Sequence, residues 1–169
     1  MGPLNLEPAR VYEEVQRFQK KLVAGMQVLR TLDDVDFGVT EKEEIYREDK
    51  LVVYRFRGDQ KPTAKTPTLI VYALVNRPYM VDLQEDKSLV RNLLAQGEDV
   101  YLIDWGYPDR ADRWLTLDDY INGYIRRSVD AVAKNAGVEK INLLGICQGG
   151  AFSLCFTAMH PRKVKNLIT

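Results

Sequence analysis

The chain has 169 residues, and 46% of them are hydrophobic, which is enough for one sizeable core. Its 24 basic and 24 acidic residues cancel, which removes any general argument for binding nucleic acid or an anionic membrane surface. The two cysteines, Cys147 and Cys155, lack a C-x-x-C spacing and accompany a single histidine, so we expect no metal site and a reduced, cytosolic setting. No apolar run approaches the ~20 residues of a transmembrane segment, and residues 1–10 contain no signal-peptide core.

Residues 1–42 are predicted to be an N-terminal helical segment. Within residues 11–30, apolar side chains recur at helical spacing, at Val11, Val15, Phe18, Leu22, Met26 and Leu29. Two interpretations of this apolar stripe are open: it packs on the chain's own core, or it docks a partner or an apolar surface. Residues 31–42 are predicted to be a connection.

Residues 43–169 are predicted to be one α/β domain. A predicted β-hairpin, 45–47 and 51–56, is followed by a polar loop over residues 58–67. Strands and helices then alternate, with strands at 68–74, 99–104, 140–144 and 165–169 and helices at 88–96, 117–136 and 151–159. This alternation predicts a parallel sheet with right-handed crossovers. Because the last strand reaches the end of the sequence, we expect only part of a domain.

The most informative motif is Gly145-Ile146-Cys147-Gln148-Gly149-Gly150, between a predicted strand and a predicted helix. It matches the G-x-S-x-G nucleophile elbow of α/β-hydrolases, with cysteine in the serine position. The sharp turn predicts a positive φ at Cys147, and Gly145 and Gly149 remove Cβ atoms that would collide. Gly150 is expected to let the helix pack closely on the neighbouring strand.

The elbow places the thiol at a helix N-terminus, where unpaired N–H groups and the helix dipole favour a thiolate. The backbone N–H of Gln148 is predicted to form half of an oxyanion hole, and Val75 or Asn76 the other half. The alternative interpretation is an inert, buried cysteine in a glycine-rich turn.

Four further residues near the predicted site are expected to have structural roles, and one of them, Arg77, has a functional alternative. Asp104 ends a strand and is expected to cap backbone groups rather than to act as a catalytic acid. Trp105 and Tyr107 are expected to form walls. Arg77 is predicted either to contact a phosphate of a large substrate or to make a structural salt bridge.

No catalytic base is evident among these residues. The single histidine, His160, follows about twelve helical residues after Cys147, which at 1.5 Å each places it roughly 18 Å from the thiol. It is therefore predicted to cap the helix. In α/β-hydrolases the acid and the histidine follow the nucleophile, so both are expected beyond residue 169.

Beyond the elbow, three stretches resemble a known family: residues 69–80 (LIVYALVNRPYM), 99–108 (DVYLIDWGYP) and 115–124 (LTLDDYINGY). Together they resemble the N-terminal portion of the catalytic subunit of class III polyhydroxyalkanoate (poly-3-hydroxybutyrate) synthases, whose members are roughly twice this length. The resemblance implies an incomplete α/β-hydrolase fold with a mostly parallel sheet, preceded by a helix and a β-hairpin.

The resemblance also implies a function. It implies polymerisation of (R)-3-hydroxyacyl-CoA into polyester, with Cys147 carrying the acyl group, CoA as the leaving group and no cofactor. It further implies a second synthase subunit and a location on cytoplasmic polyester granules. The 169 residues alone are expected to be inactive. Two alternatives are a cysteine-dependent thioesterase or other hydrolase, and a non-catalytic granule-associated fragment.

Overall fold

The computed structural model describes residues 8–31 and 37–169, which fall into two units. The first contains one helix, α1 (Pro8–Thr31), slightly longer than the predicted stretch 11–30. Its side chains from residue 8 to residue 29 are exposed. Both interpretations of its apolar stripe, packing on the chain's own core and docking of a partner or apolar surface, therefore stay predictions. Within the described residues, no helix is both long and apolar enough to cross a membrane. Part of the predicted connection, residues 32–36, lies outside the described residues, and the boundary at residue 42 stays a prediction.

The second unit alternates strands and helices. Its strands are β1 (Lys42–Glu48), β2 (Leu51–Phe56), β3 (Thr68–Val71), β4 (Asp82–Gln84), β5 (Lys87–Ser88), β6 (Val100–Asp104), β7 (Ile141–Gly145) and β8 (Val164–Ile168). Its α-helices are α2 (Leu89–Ala95), α3 (Arg126–Ala136) and α4 (Gln148–Met159). Short 3₁₀ helices occur at Pro78–Val81 and Arg110–Trp114, and a π-helix at Asp119–Ile125.

Six strands form one sheet in the order β1-β2-β6-β3-β7-β8. The β1–β2 hairpin is antiparallel and joins β6 in antiparallel register, whereas β6, β3, β7 and β8 are parallel to one another. The predicted hairpin followed by a parallel sheet is therefore confirmed. The sequence missed the separate β4–β5 hairpin, because strands of three and two residues are too short to show an apolar alternation.

The sheet is covered on both faces. Successive side chains of β3 point to opposite faces, so Leu69 and Val71 join the core beneath α3 and α4, while Ile70 joins the smaller core beside α2. Val53, Leu69, Ile103 and Leu143 are completely buried in the larger core. Burial on both faces explains why the central strands are continuous apolar runs in the sequence.

Three predicted elements differ from the structure in a boundary or in helix type, and the ends of several others shift by one to three residues. Strand β3 ends at Val71 rather than at residue 74. The reason is that its pairing with β7 stops at the residue pair Val71 and Gly145. The predicted helix 117–136 exists, but Asp119–Ile125 within it is π-helical before α3 begins. Helix α4 starts at Gln148, three residues before the predicted start at residue 151.

An ion pair connects the end of β1 to α3. The Arg127 guanidinium donates from Nε and Nη2 to the two carboxylate oxygens of Glu48, both at 2.6 Å, and the Tyr46 hydroxyl donates to the same carboxylate. The hydrogen bond from Arg127 lowers the pKa of Glu48 below its usual value. A carboxylate with a lowered pKa stabilises the fold above its unfolded-state pKa of about 4.3, and this contribution is lost as pH falls through the lower folded value.

We expect Glu48→Gln to reduce the free energy of unfolding by about 1 kcal/mol at neutral pH, a modest value because the pair is partly exposed. The difference from the wild type should shrink once the pH falls below about 4, where the wild-type carboxylate also loses its charge. Urea denaturation of the wild type and the variant at several pH values measures this difference in the free energy of unfolding. The control is Glu44→Gln, which removes an exposed pair within β1 and should change nothing measurable. A difference that grows on acidification would contradict this account.

Candidate active site

Cys147 lies at the turn between β7 and α4, in a strained backbone conformation. Its φ is 57° and its ψ is −126°, so the positive φ predicted from the motif is observed. It immediately precedes the first residue of α4, and its thiol is exposed rather than buried. Cys147 is therefore not buried in this chain, whereas the alternative that it is inert stays a prediction. A non-glycine residue held in such a conformation is typical of functional sites.

Two glycines make this turn sterically feasible. A Cβ on Gly145 would lie 2.6 Å from the Gly150 Cα and 2.7 Å from the Gly149 carbonyl oxygen. A Cβ on Gly149 would overlap the carbonyl group of Val71 in β3. Gly150 is less constrained, since its Cβ would be 3.3 Å from the nearest atom, the Gly145 carbonyl oxygen. The motif glycines therefore let the start of α4 approach the ends of β3 and β7.

The side chain of Gln148 connects the elbow to the loop after β3. Its Oε1 accepts a hydrogen bond from the backbone N–H of Leu74 at 3.1 Å. As the first residue of α4, Gln148 has a backbone N–H with no intrahelical partner, as an oxyanion donor requires. Val75 and Asn76, the two candidates for the second donor, follow directly in the exposed part of this loop. Their roles in an oxyanion hole stay predictions.

Sequence reasoning missed the hydrogen bond from Leu74 to the Gln148 side chain. The sequence predicted only a backbone role for Gln148, whereas its amide oxygen fixes the start of the loop that carries the candidate donors. The two residues are 74 positions apart, so no local pattern could have signalled this contact.

The loop after β6 is braced by side-chain contacts with the backbone. Asp104 Oδ1 accepts the N–H of Gly106 at 2.9 Å, which confirms that this carboxylate caps backbone groups. The Trp105 indole N–H donates to the Tyr72 carbonyl oxygen at 3.0 Å, and the indole packs edge-on against Phe152 of α4. Trp105 is therefore a wall, as predicted.

The sequence predicts a wall for Tyr107 and either a phosphate contact or a salt bridge for Arg77, but not the contact that these two side chains make with each other. The Tyr107 ring is 71% exposed and lies beneath the Arg77 guanidinium, whose central carbon is 3.6 Å from the ring centroid. Arg77 also donates to the Gly106 carbonyl oxygen at 3.1 Å. Within the described residues Arg77 makes a hydrogen bond and a cation–π contact but not the salt bridge of the structural alternative. The phosphate contact stays a prediction. Arg77 joins the loops that follow β3 and β6.

His160 lies at the opposite end of α4 from Cys147. Its backbone N–H donates to the Phe156 carbonyl oxygen at 2.8 Å, and its Nε2 is 2.8 Å from Asn122 Oδ1. The prediction that His160 caps this helix is confirmed. Cys155 is exposed on α4, two helical turns from the elbow. Among residues 8–31 and 37–169, no cluster of three potential metal-ligating side chains occurs.

This geometry agrees with a comparison against known families. The family described as the alpha/beta hydrolase fold matches residues 69–169, from the second residue of β3 through the elbow and β8. The chain belongs to the α/β hydrolase family. Among solved structures, a CIB-like hydrolase from Thermoplasma acidophilum superposes with a TM-score of 0.52, covering 76% of this chain and 61% of that one. At 16% identity, that likeness concerns only the fold.

Two curated relatives of this α/β hydrolase are much more similar in sequence. The poly(3-hydroxyalkanoate) polymerase subunit PhaC of Allochromatium vinosum is 57% identical over the whole of this chain, which covers 48% of that protein. The polymerase subunit of the same name from Synechocystis is 55% identical over 92% of this chain and 42% of its own length. The chain thus spans about half the length of the curated relatives it matches.

We expect Gly149→Ala to prevent folding or to lower the free energy of unfolding by more than about 3 kcal/mol. The new methyl group would overlap the Val71 carbonyl group, whose oxygen also accepts the Ile146 N–H at 3.0 Å and so is not free to move. Gly150→Ala is the matched control. It adds a methyl group one residue later, where the nearest atom would be the Gly145 carbonyl oxygen at 3.3 Å, a tight contact that a shift of a few tenths of an ångström relieves. It should lower the free energy of unfolding by no more than about 1 kcal/mol. Thermal unfolding of both variants measures this, and equal stabilities would contradict the steric account.

Proposed function

We propose that this chain is the nucleophile-bearing part of an acyltransferase that polymerises (R)-3-hydroxyacyl-CoA into polyester. One observation carries the proposal: a cysteine occupies the strained elbow of a chain that is 57% identical, over its full length, to a poly(3-hydroxyalkanoate) polymerase subunit. In this proposal the thiol of Cys147 carries the acyl group. The superposed hydrolases support only the fold, whereas the polymerase relatives support the choice of reaction.

A cysteine suits a thioester substrate. The Cys147 thiolate attacks the thioester carbonyl carbon, the bond from that carbon to the CoA sulfur breaks, and CoA leaves as a thiolate that takes up a proton. One thioester replaces another, so the step is close to isoenergetic. The acyl group remains reactive towards the hydroxyl of the next unit, whose attack forms an ester bond and frees the Cys147 thiol.

Each attack places negative charge on the carbonyl oxygen. The N–H of Gln148, at the N-terminus of α4, and an N–H from Val75 or Asn76 are the proposed donors to this oxyanion. The hydrogen bond from Leu74 to Gln148 Oε1 supports the proposal because it fixes the two donor segments relative to each other. Donors fixed before the reaction need no reorganisation when the charge develops.

The proposal requires a base to activate the incoming hydroxyl. His160 is held at the far end of α4, so the base and its acid are proposed to come from the part of the relatives' length that this chain does not span. A second synthase subunit and a location on cytoplasmic polyester granules belong to the same proposal. They rest on the name of the relatives as polymerase subunits and on the resemblance to the synthase family.

The reaction separates this proposal from a cysteine hydrolase. The full-length protein is given radiolabelled (R)-3-hydroxybutyryl-CoA, and the release of CoA, free hydroxy acid and polymer is measured. Polymer that grows in step with CoA release supports the polymerase. If CoA is released and free hydroxy acid is the only acyl product, the protein is a thioesterase and the polymerase proposal is wrong.

In the same assay, we expect Cys147→Ser to reduce polymer formation by at least about 100-fold, because an alcohol is a much poorer nucleophile than a thiolate at neutral pH. Cys155→Ser is the matched control, since it makes the same change on the same helix, two turns away, and should leave the rate unchanged. Normal activity of Cys147→Ser would show that Cys147 does not carry the acyl group.

A further inference from the structure

A cavity of about 260 Å³ lies beside the elbow, at the edge of the sheet where the parallel strands end. We refer to it as the aromatic cavity. Its walls include Leu51, Leu74, Trp105, Leu115, Tyr120 and Tyr124. These residues come from the β1–β2 hairpin, the loops after β3 and β6, and the π-helix. Ligands of parallel α/β sheets bind at this edge.

Two wall residues of the aromatic cavity contact α4, the helix that begins directly after the nucleophile. Leu74, in its wall, donates its N–H to Gln148, the residue after Cys147. Tyr120, in the opposite wall, stacks on Phe152, with ring centroids 6.2 Å apart and an interplanar angle of 12°. Phe152 lies one turn along α4 from Gln148. The first half of α4 therefore contacts the cavity walls through two residues, Gln148 and Phe152.

The π-helix points independently to a function for this cavity. Asp119–Ile125 forms a seven-residue π-helix, and Tyr120 and Tyr124 both line the cavity. Such stretches are rare in proteins and are frequent at functional sites. The π-helix places these two rings in the cavity wall.

The charges at the polar end of the cavity exclude a phosphate ligand. The Lys50 ammonium already pairs with Asp112 at 2.5 Å and Asp109 at 2.9 Å. The Asp49 carboxylate accepts the Tyr124 hydroxyl at 2.7 Å. The lining therefore contains one cation, Lys50, and two carboxylates, Asp49 and Asp112, which leave a net negative charge that repels a phosphate such as those of CoA. The remaining lining is apolar and suits an uncharged alkyl or ester group.

We propose that the aromatic cavity binds the acyl part of the thioester substrate, and that Leu115 limits the length of its side chain. The proposal rests on the polymerase function proposed above. The volume, just below the ~300 to 1,000 Å³ of sites for drug-sized ligands, fits a short acyl group. The CoA part of the substrate would stay outside, away from the carboxylates.

The test uses Leu115→Ala in the full-length protein, with 3-hydroxybutyryl-CoA and 3-hydroxyoctanoyl-CoA as alternative substrates. Removing part of this half-buried side chain enlarges the cavity, so the ratio of kcat/KM for octanoyl over butyryl substrate should rise about tenfold. Leu115→Trp, which fills the cavity, should lower that ratio. Leu117→Ala is the matched control, because Leu117 is 57% exposed and does not line the cavity.

The outcomes distinguish the two proposals. In one outcome, wild-type protein forms polymer, but both Leu115 variants change kcat/KM for the two substrates by the same factor. The proposed acyl site is then overturned, and the polymerase function stands. If wild-type protein forms no polymer from either substrate, the polymerase function itself fails, and the acyl site fails with it. Circular dichroism checks that each variant is folded, and Leu115→Met, which conserves volume, should keep the wild-type ratio.

Discussion

The close approach of α4 to the end of β3 is the constraint on which the rest of the site depends. At Gly149 the helix backbone comes so near the Val71 carbonyl group that no side chain fits between them. The chain can leave β7 and enter α4 at this distance only through a turn with a positive φ, and Cys147 occupies that turn. The strain at Cys147 is thus a consequence of backbone packing, and it leaves the thiol exposed beside the first N–H groups of α4.

The short distance between α4 and β3 also determines the positions of the loops around the thiol. Because α4 begins against β3, the Gln148 side chain reaches the Leu74 N–H and determines where the next residues of that loop lie. Arg77 then connects this loop to the one after β6, through the Gly106 carbonyl oxygen and the Tyr107 ring. The candidate oxyanion donors and the walls of the aromatic cavity are therefore positioned by one network of contacts that begins at the elbow.

Much of this arrangement could be predicted from the sequence, because its signals are local. Continuous apolar strands, helical spacing and the elbow glycines predicted the sheet, the helices and the conformation of Cys147. Long-range contacts decided the features that were missed. Strand β3 stops at Val71 because its pairing with β7 ends there, and Arg77 stacks on Tyr107 instead of forming a salt bridge. The π-helical hydrogen bonding of Asp119–Ile125 also left no trace in the apolar pattern.

The central claim is that the strained cysteine at the elbow carries the acyl group during transfer. The most direct measurement is peptide mass mapping of the full-length protein, quenched in acid shortly after mixing with (R)-3-hydroxybutyryl-CoA. The account predicts a mass increase of one or more hydroxybutyryl units on the peptide that contains Cys147, lost on treatment with hydroxylamine. An acyl group found on any other residue, while the Cys147 peptide stays unmodified during turnover, would contradict it.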